Sequence, residues 1–159
     1  MTVEVGLRER PFDPWAELAA RTRAHRTDLG AAAVFVGTMR DRNEGETVES
    51  MFLEHYPGMT ERELERAARA ALERWGAAEA LVLHRVGEVR PGETLVLVAV
   101  WAAHRAHAFA ACRELMETVK HRVPLWKRER TAAGERWVER NTPGEIAARE
   151  APAEPPGEA

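Results

Sequence analysis

The chain has 159 residues, a formal net charge of −3 at pH 7, 45% hydrophobic and 31% charged residues, and one cysteine. That balance suits a single soluble domain with a full-sized core, and an acidic total argues against general nucleic-acid binding. No apolar run approaches the length of a membrane span, and one cysteine permits neither an internal disulfide nor a thiolate zinc site.

The N-terminus, Met1-Thr2-Val3-Glu4-Val5, lacks a basic region followed by a hydrophobic one, which predicts a cytoplasmic protein. Asp13-Pro14-Trp15 reads as N-cap, first-turn proline and first packing residue of a short helix through about Arg26, with Leu18, Ala19 and Thr22 inward. Gly30 ends it, and the small apolar run Ala31 to Gly37 suits a buried strand ending in Thr38-Met39-Arg40. The polar segment Asp41 to Glu46 is expected to be a turn or mobile loop. A strand from Thr47 to Tyr56 follows, its alternation broken near Met51-Phe52, where a bulge is possible.

Pro57-Gly58 stops that strand, and Thr60-Glu61-Arg62-Glu63 has capping-box spacing for a helix carrying Leu64, Ala67, Ala68, Ala71, Leu72 and Trp75 on helical steps. Strands from Glu79 to Val86 and from Thr94 to Ala102 are expected to pair as a hairpin, with Pro91-Gly92 in its turn. A helix from Arg105 to His121 presents Phe109, Cys112, Met116 and Val119 as its apolar face, which makes Cys112 a buried structural thiol. Pro124 forces the chain out of helix into an extended segment, and a last strand is expected around Arg136 to Val138. Residues 1–148 form the expected domain, and the Pro- and Glu-rich residues 149–159 a disordered tail. Helices mixed with hairpin-linked strands make the class α+β.

Of 23 basic residues only two are lysine, Lys120 and Lys127, and both lie in the stretch 120–130, which holds five basic residues against one Glu. Arginine supplies permanent charge, whereas the lysine amine can lose its proton on burial and act as nucleophile or base. On a helix Lys120 projects about 60° from the centre of the apolar face, so it borders the core. His104-Arg105, where a strand gives way to a helix, places two side chains and backbone N–H groups around a possible anion. Arg40, at another strand end, is ambiguous alone. The histidines show no HxxxH or HExxH pattern, so no metal site is expected, and the usual signatures of ATP, NAD and serine-hydrolase chemistry are missing.

Four motifs, Leu53-Glu54-His55-Tyr56-Pro57-Gly58-Met59-Thr60, His84-Arg85-Val86-Gly87-Glu88, Ala103-His104-Arg105-Ala106-His107-Ala108-Phe109 and Lys120-His121-Arg122-Val123-Pro124-Leu125-Trp126-Lys127-Arg128-Glu129, resemble the large, catalytic subunit of molybdopterin synthase in order and spacing. The resemblance runs from about Phe12 to Val138. It implies an α/β hammerhead-like fold with an additional antiparallel β subdomain, and a homodimer within a heterotetramer. It also implies a small ubiquitin-like sulfur-carrier subunit whose C-terminal Gly-Gly thiocarboxylate donates sulfur to cyclic pyranopterin monophosphate, with no cofactor held.

By the same resemblance Lys120 and Lys127 are catalytic, and Arg128 and Glu129 belong to the substrate-lining segment. Thr38, Met39 and Arg40 bind substrate at the end of the first core strand, although Thr38 stands where the family often has a basic residue. His104 and Arg105 form an anion-binding pair that reaches the neighbouring subunit's pocket. Two other readings stay open on the residues alone. One is a noncatalytic module docking a carboxylate-ended tail; the other is a phosphate-binding enzyme using Lys120 as a Schiff-base nucleophile.

Overall fold

The computed structural model of the protein describes residues 1–21 and 26–138. The expectations for Thr22 and for the tail from residue 149 lie outside the described residues. Among the described residues twelve elements follow in order: β1 (Thr2–Arg8), α1 (Pro14–Ala19), β2 (Ala31–Thr38), β3 (Arg42–Asn43), β4 (Glu46–His55), α2 (Met59–Trp75), β5 (Glu79–Arg85), β6 (Gly87–Val89), β7 (Thr94–Ala102), α3 (Arg105–His121), β8 (Leu125–Thr131) and β9 (Gly134–Trp137). They build two sheets, one ordered β1-β5-β7-β2, the other β3-β4-β8-β9 with β6 paired to β4.

The β5–β7 hairpin is the spine of the first sheet, with Glu79 opposite Trp101 and His84 opposite Val96. Every residue of β5 is buried because both faces are covered. Alternation divides the work: Ala80, Val82, Val96, Val98 and Val100 pack with Leu64, Leu72 and Leu115 of α2 and α3. Leu81, Leu83, Leu97 and Trp101 face the other way, onto Phe12, Leu18 and Leu29. Burying each such leucine contributes about 1.5–3 kcal/mol. A smaller core of Met39, Val48, Met51, Leu53 and Val89 lies under the second sheet.

Several expectations are corrected. The strand β1, absent from the sequence reading, pairs in parallel with β5 from Thr2↔Glu79 to Arg8↔Arg85. Its cue was the alternation of Val3, Val5 and Leu7, all partly buried against the core. Asp13 does cap α1, accepting at Oδ1 from Trp15 N–H at 2.9 Å. Trp15 is nevertheless 64% exposed, and the buried residue of that turn is Pro14. Ala19 is exposed as well.

Instead of being a buried strand, β2 is a sheet edge, with only Ala33 buried and Val34 and Phe35 exposed. Small apolar residues fit either environment, so composition could not separate them. The segment 41–46 is a hairpin, in which Glu44 and Gly45 take φ of 52° and 79° between β3 and β4. Two successive positive φ values suit the two-residue turn that matches strand twist. The irregularity in β4 comes at Val48/Ser50 rather than at Met51-Phe52. The extra residue there, Glu49, explains why Val48 and Met51, three apart, both face inward.

In α2 the N-cap is Gly58, two residues before the expected start, and Gly58 N–H donates to Glu61 Oε2 at 2.6 Å. Thr60 is therefore inside the helix and fully buried. Along α3 the buried residues are Ala108, Ala111, Cys112, Leu115, Met116 and Val119, while Phe109 is 67% exposed. At about 100° per residue the buried set centres near Ala108, Leu115 and Val119, which leaves Phe109 about 90° off that face.

Candidate functional site

Chain direction places the site where both sheets meet the end of α3. The helix runs to His121, Pro124 blocks its continuation, and Leu125 N–H donates to Val123 C=O at 2.8 Å as the chain turns into β8. That strand pairs with β4, Lys127 opposite Leu53 and Glu129 opposite Met51. Lys120, in the last helical turn, lies where the helix dipole favours a cation. Alternation then sends Leu125, Lys127 and Glu129 to the same side of β8.

They line a cavity of about 400 Å³. Thr38, Met39 and Arg40 enter it from the end of β2, and Arg42 and Asn43 from β3. Met116, Glu117, Val119 and Lys120 close it from α3, and His84 from the end of β5. The two lysines, seven residues apart in sequence and on different elements, thus share one cavity with two arginines. Apolar Phe35, Leu95 and Val96 complete the wall.

Burial lowers the Lys127 pKa, and the positive charge of Lys120 lowers it further against the opposing effect of Glu129. Such an amine gives up its proton more readily than an exposed lysine does. Glu129 is itself buried and compensated, because Asn43 Nδ2 donates to its Oε1 at 2.7 Å and Arg136 donates to its Oε2 at 3.3 Å. The same arginine pairs with Glu46 at 3.1 Å, so one network joins the β3–β4 hairpin to β9. Met39 is buried, and its N–H and C=O are bonded to Glu93 C=O and Gly92 N–H. It offers the cavity a side chain rather than a backbone donor.

The MoaE protein family model matches residues 7–122. A molybdopterin synthase catalytic subunit of Ralstonia nicotianae is 51% identical over 135 residues, covering 85% of this chain and 76% of that protein. The chain belongs to the MoaE family.

Among solved structures, the crystal structure of molybdopterin synthase from Staphylococcus aureus matches with a TM-score of 0.76 at 28% identity, covering 84% of this chain and 96% of that one. A complex of subunits 1 and 2 of molybdopterin-converting factor from Helicobacter pylori shares the fold, with a TM-score of 0.70 at 20% identity, covering 85% and 90%. The mixed architecture of two sheets and three helices is therefore the MoaE fold.

Two parts of the expected site stand away from this MoaE cavity. His104 and Arg105 sit exposed at the start of α3, and fifteen residues at 1.5 Å per residue put them about 22 Å along the helix from Lys120. Arg128 points to the opposite face of β8, its guanidinium 5.2 Å from the Phe52 ring and 5.6 Å from the Trp137 ring. It also pairs with Glu135 at 3.5 Å.

Sequence reasoning missed Arg42, Asn43, Met116, Glu117 and His84 as cavity residues. Met116 and Glu117 precede Lys120 by four and three, so the helical repeat could have supplied them. His84 had a subtler cue: one titratable side chain in the otherwise apolar run Ala80-Leu81-Val82-Leu83. Among the described residues no group of three or more His, Cys, Asp or Glu could hold a metal ion, and no helix is long and apolar enough to cross a membrane.

Proposed function

We propose that this chain performs the sulfur-transfer step of molybdopterin synthesis. A small ubiquitin-like subunit presents its C-terminal Gly-Gly thiocarboxylate to the cavity, and the sulfur is passed to cyclic pyranopterin monophosphate to build the dithiolene. The observation that carries this reading is the convergence of the protein's only two lysines on one cavity of about 400 Å³ beside Arg40 and Arg42. A monophosphate and a thiocarboxylate are both anions, and the apolar walls suit a ring and a thin peptide tail.

In this mechanism the thiocarboxylate sulfur forms a bond to the pterin side chain as a C–O bond there breaks and negative charge develops on the oxygen that leaves; water then cleaves the resulting thioester, returning the small subunit's tail as a carboxylate and leaving the sulfur on the pterin. Lys120 and Lys127 stabilise that charge or deliver the proton, the lowered pKa of Lys127 favouring transfer. Arg40, with the Thr38 hydroxyl, holds the phosphate end, the Met39 side chain forms apolar wall beside it, and Glu129 keeps the floor rigid through Asn43. The exposed pair His104 and Arg105 completes a neighbouring copy's pocket in a homodimer, the core of a heterotetramer with two small subunits. Arg128 serves from the outer face of β8. The reaction is cytoplasmic, and residues 1–148 act as one domain.

Mixing the chain with thiocarboxylated small subunit and cyclic pyranopterin monophosphate tests this, with molybdopterin read as its fluorescent oxidised derivative. Product in a single turnover is expected. Absence of product with the small subunit demonstrably bound contradicts the reading.

A further inference from the structure

The penultimate residue of β5, His84, is an imidazole with no part in the transfer step. His84 is 6% exposed, yet it lines the cavity together with Lys127. Its Nδ1 lies 2.7 Å from the Arg85 carbonyl oxygen. A carbonyl only accepts, so Nδ1 carries the hydrogen and Nε2 carries a lone pair. The Arg85 carbonyl is firmly placed, because Arg85 is buried, pairs with Glu93 at 3.1 Å and donates to Arg8 C=O and Glu88 C=O. The ring is thereby oriented by backbone that the Arg85 side-chain contacts hold in place.

We propose that His84 is a positioning residue for Lys127, its Nε2 acting as a fixed acceptor that orients the Lys127 ammonium toward the reacting centre. This rests on the sulfur-transfer reading of the cavity. Burial, together with the Lys127 charge, pushes the imidazole pKa down to about 4, so the acceptor persists across the working pH range. An acceptor that also took up protons near pH 6.5 would turn into a repelling cation; this one does not. The other charges facing the pair are Lys120 and Glu117 from α3, Glu129 from β8, and Arg40 and Arg42 from the β2–β3 segment.

Two substitutions separate the ring's two nitrogens. His84→Asn keeps a donor near the Nδ1 position and removes the cavity-facing acceptor; His84→Gln reaches further and can restore an amide oxygen there. Single-turnover sulfur transfer is expected to fall about tenfold or more in His84→Asn, as misplacing a catalytic group does, and His84→Gln should recover most of that loss.

The second readout needs no activity. The pH of half-maximal acylation of Lys127 by a small anhydride, followed by mass spectrometry, should drop by about half a unit in His84→Asn, because an acceptor stabilises the charged amine. His84→Gln should hold it near the wild-type value. Equal acylation curves in all three proteins, each shown to unfold cooperatively, would overturn the proposal. Wild type without sulfur transfer would instead remove the functional reading, leaving the acylation comparison to decide the role of His84.

Discussion

Thr60 offers a direct way to loosen the site from outside it. Its hydroxyl accepts from Tyr56 N–H at 3.0 Å and donates to Pro124 C=O at 3.0 Å, and the residue is fully buried. Pro124 lies between the helix that carries Lys120 and the strand that carries Lys127, so this hydroxyl pins the joint on which their spacing depends. Thr60→Val keeps the shape and leaves one donor and one acceptor unpaired. With both partners only partly buried, the cost is about 2–3 kcal/mol. For a chain of this size that corresponds to a fall in Tm of roughly 4–12 °C.

Urea and thermal unfolding measure the first effect, and single-turnover transfer at a temperature where the variant is fully folded measures the second. Both should decline in Thr60→Val, and Thr60→Ser should restore both. A Thr60→Val protein within about 0.5 kcal/mol of wild type would refute the reasoning, since that is the scatter of ordinary surface substitutions.

Lys127→Met should raise stability at pH 7 while removing sulfur transfer. The folded-state pKa of this lysine lies below its ordinary 10.5, so burying its charge is costly at neutral pH, and the penalty fades as pH rises through the folded value toward 10.5; a variant less stable than wild type at pH 7 contradicts this. His84 binds its proton near pH 4 folded and near 6.5 unfolded. The unfolded state therefore holds more protons between those values, and stability should fall as pH drops through that window, by about 3 kcal/mol below it. Urea midpoints from pH 4 to 7 should show a shallower fall in His84→Gln, and identical slopes would count against it. Glu44→Asn, which suits a residue at φ 52°, should add about 1 kcal/mol in the same assay without changing transfer.

Much of the architecture was legible where signals were local. The bounds of α3 follow from a strand end before Arg105 and Pro124 after His121, and the β5–β7 hairpin follows from two apolar runs around Pro91-Gly92. What escaped depends on distant partners. Parallel pairing of β1 with β5 joins residues more than seventy positions apart, and the edge position of β2 is set by which strand lies beside it. Thr60 had the spacing of a cap, but Gly58 took that position, and the hydroxyl went to Pro124 instead. At the site, the rarity of lysine singled out Lys120 and Lys127, and the fold brings both to one cavity. His84 stood out as a lone titratable side chain in an apolar run, but that it and Asn43 face the same cavity is set by tertiary packing.

The measurement that bears most directly on the account is single-turnover sulfur transfer by Lys120→Arg beside wild type, with small-subunit binding measured in parallel. Arginine keeps the charge and loses the compact amine, so the account predicts normal binding and no molybdopterin from the variant. Product at a near wild-type rate would contradict the role assigned to the lysine and the reading of the cavity built on it.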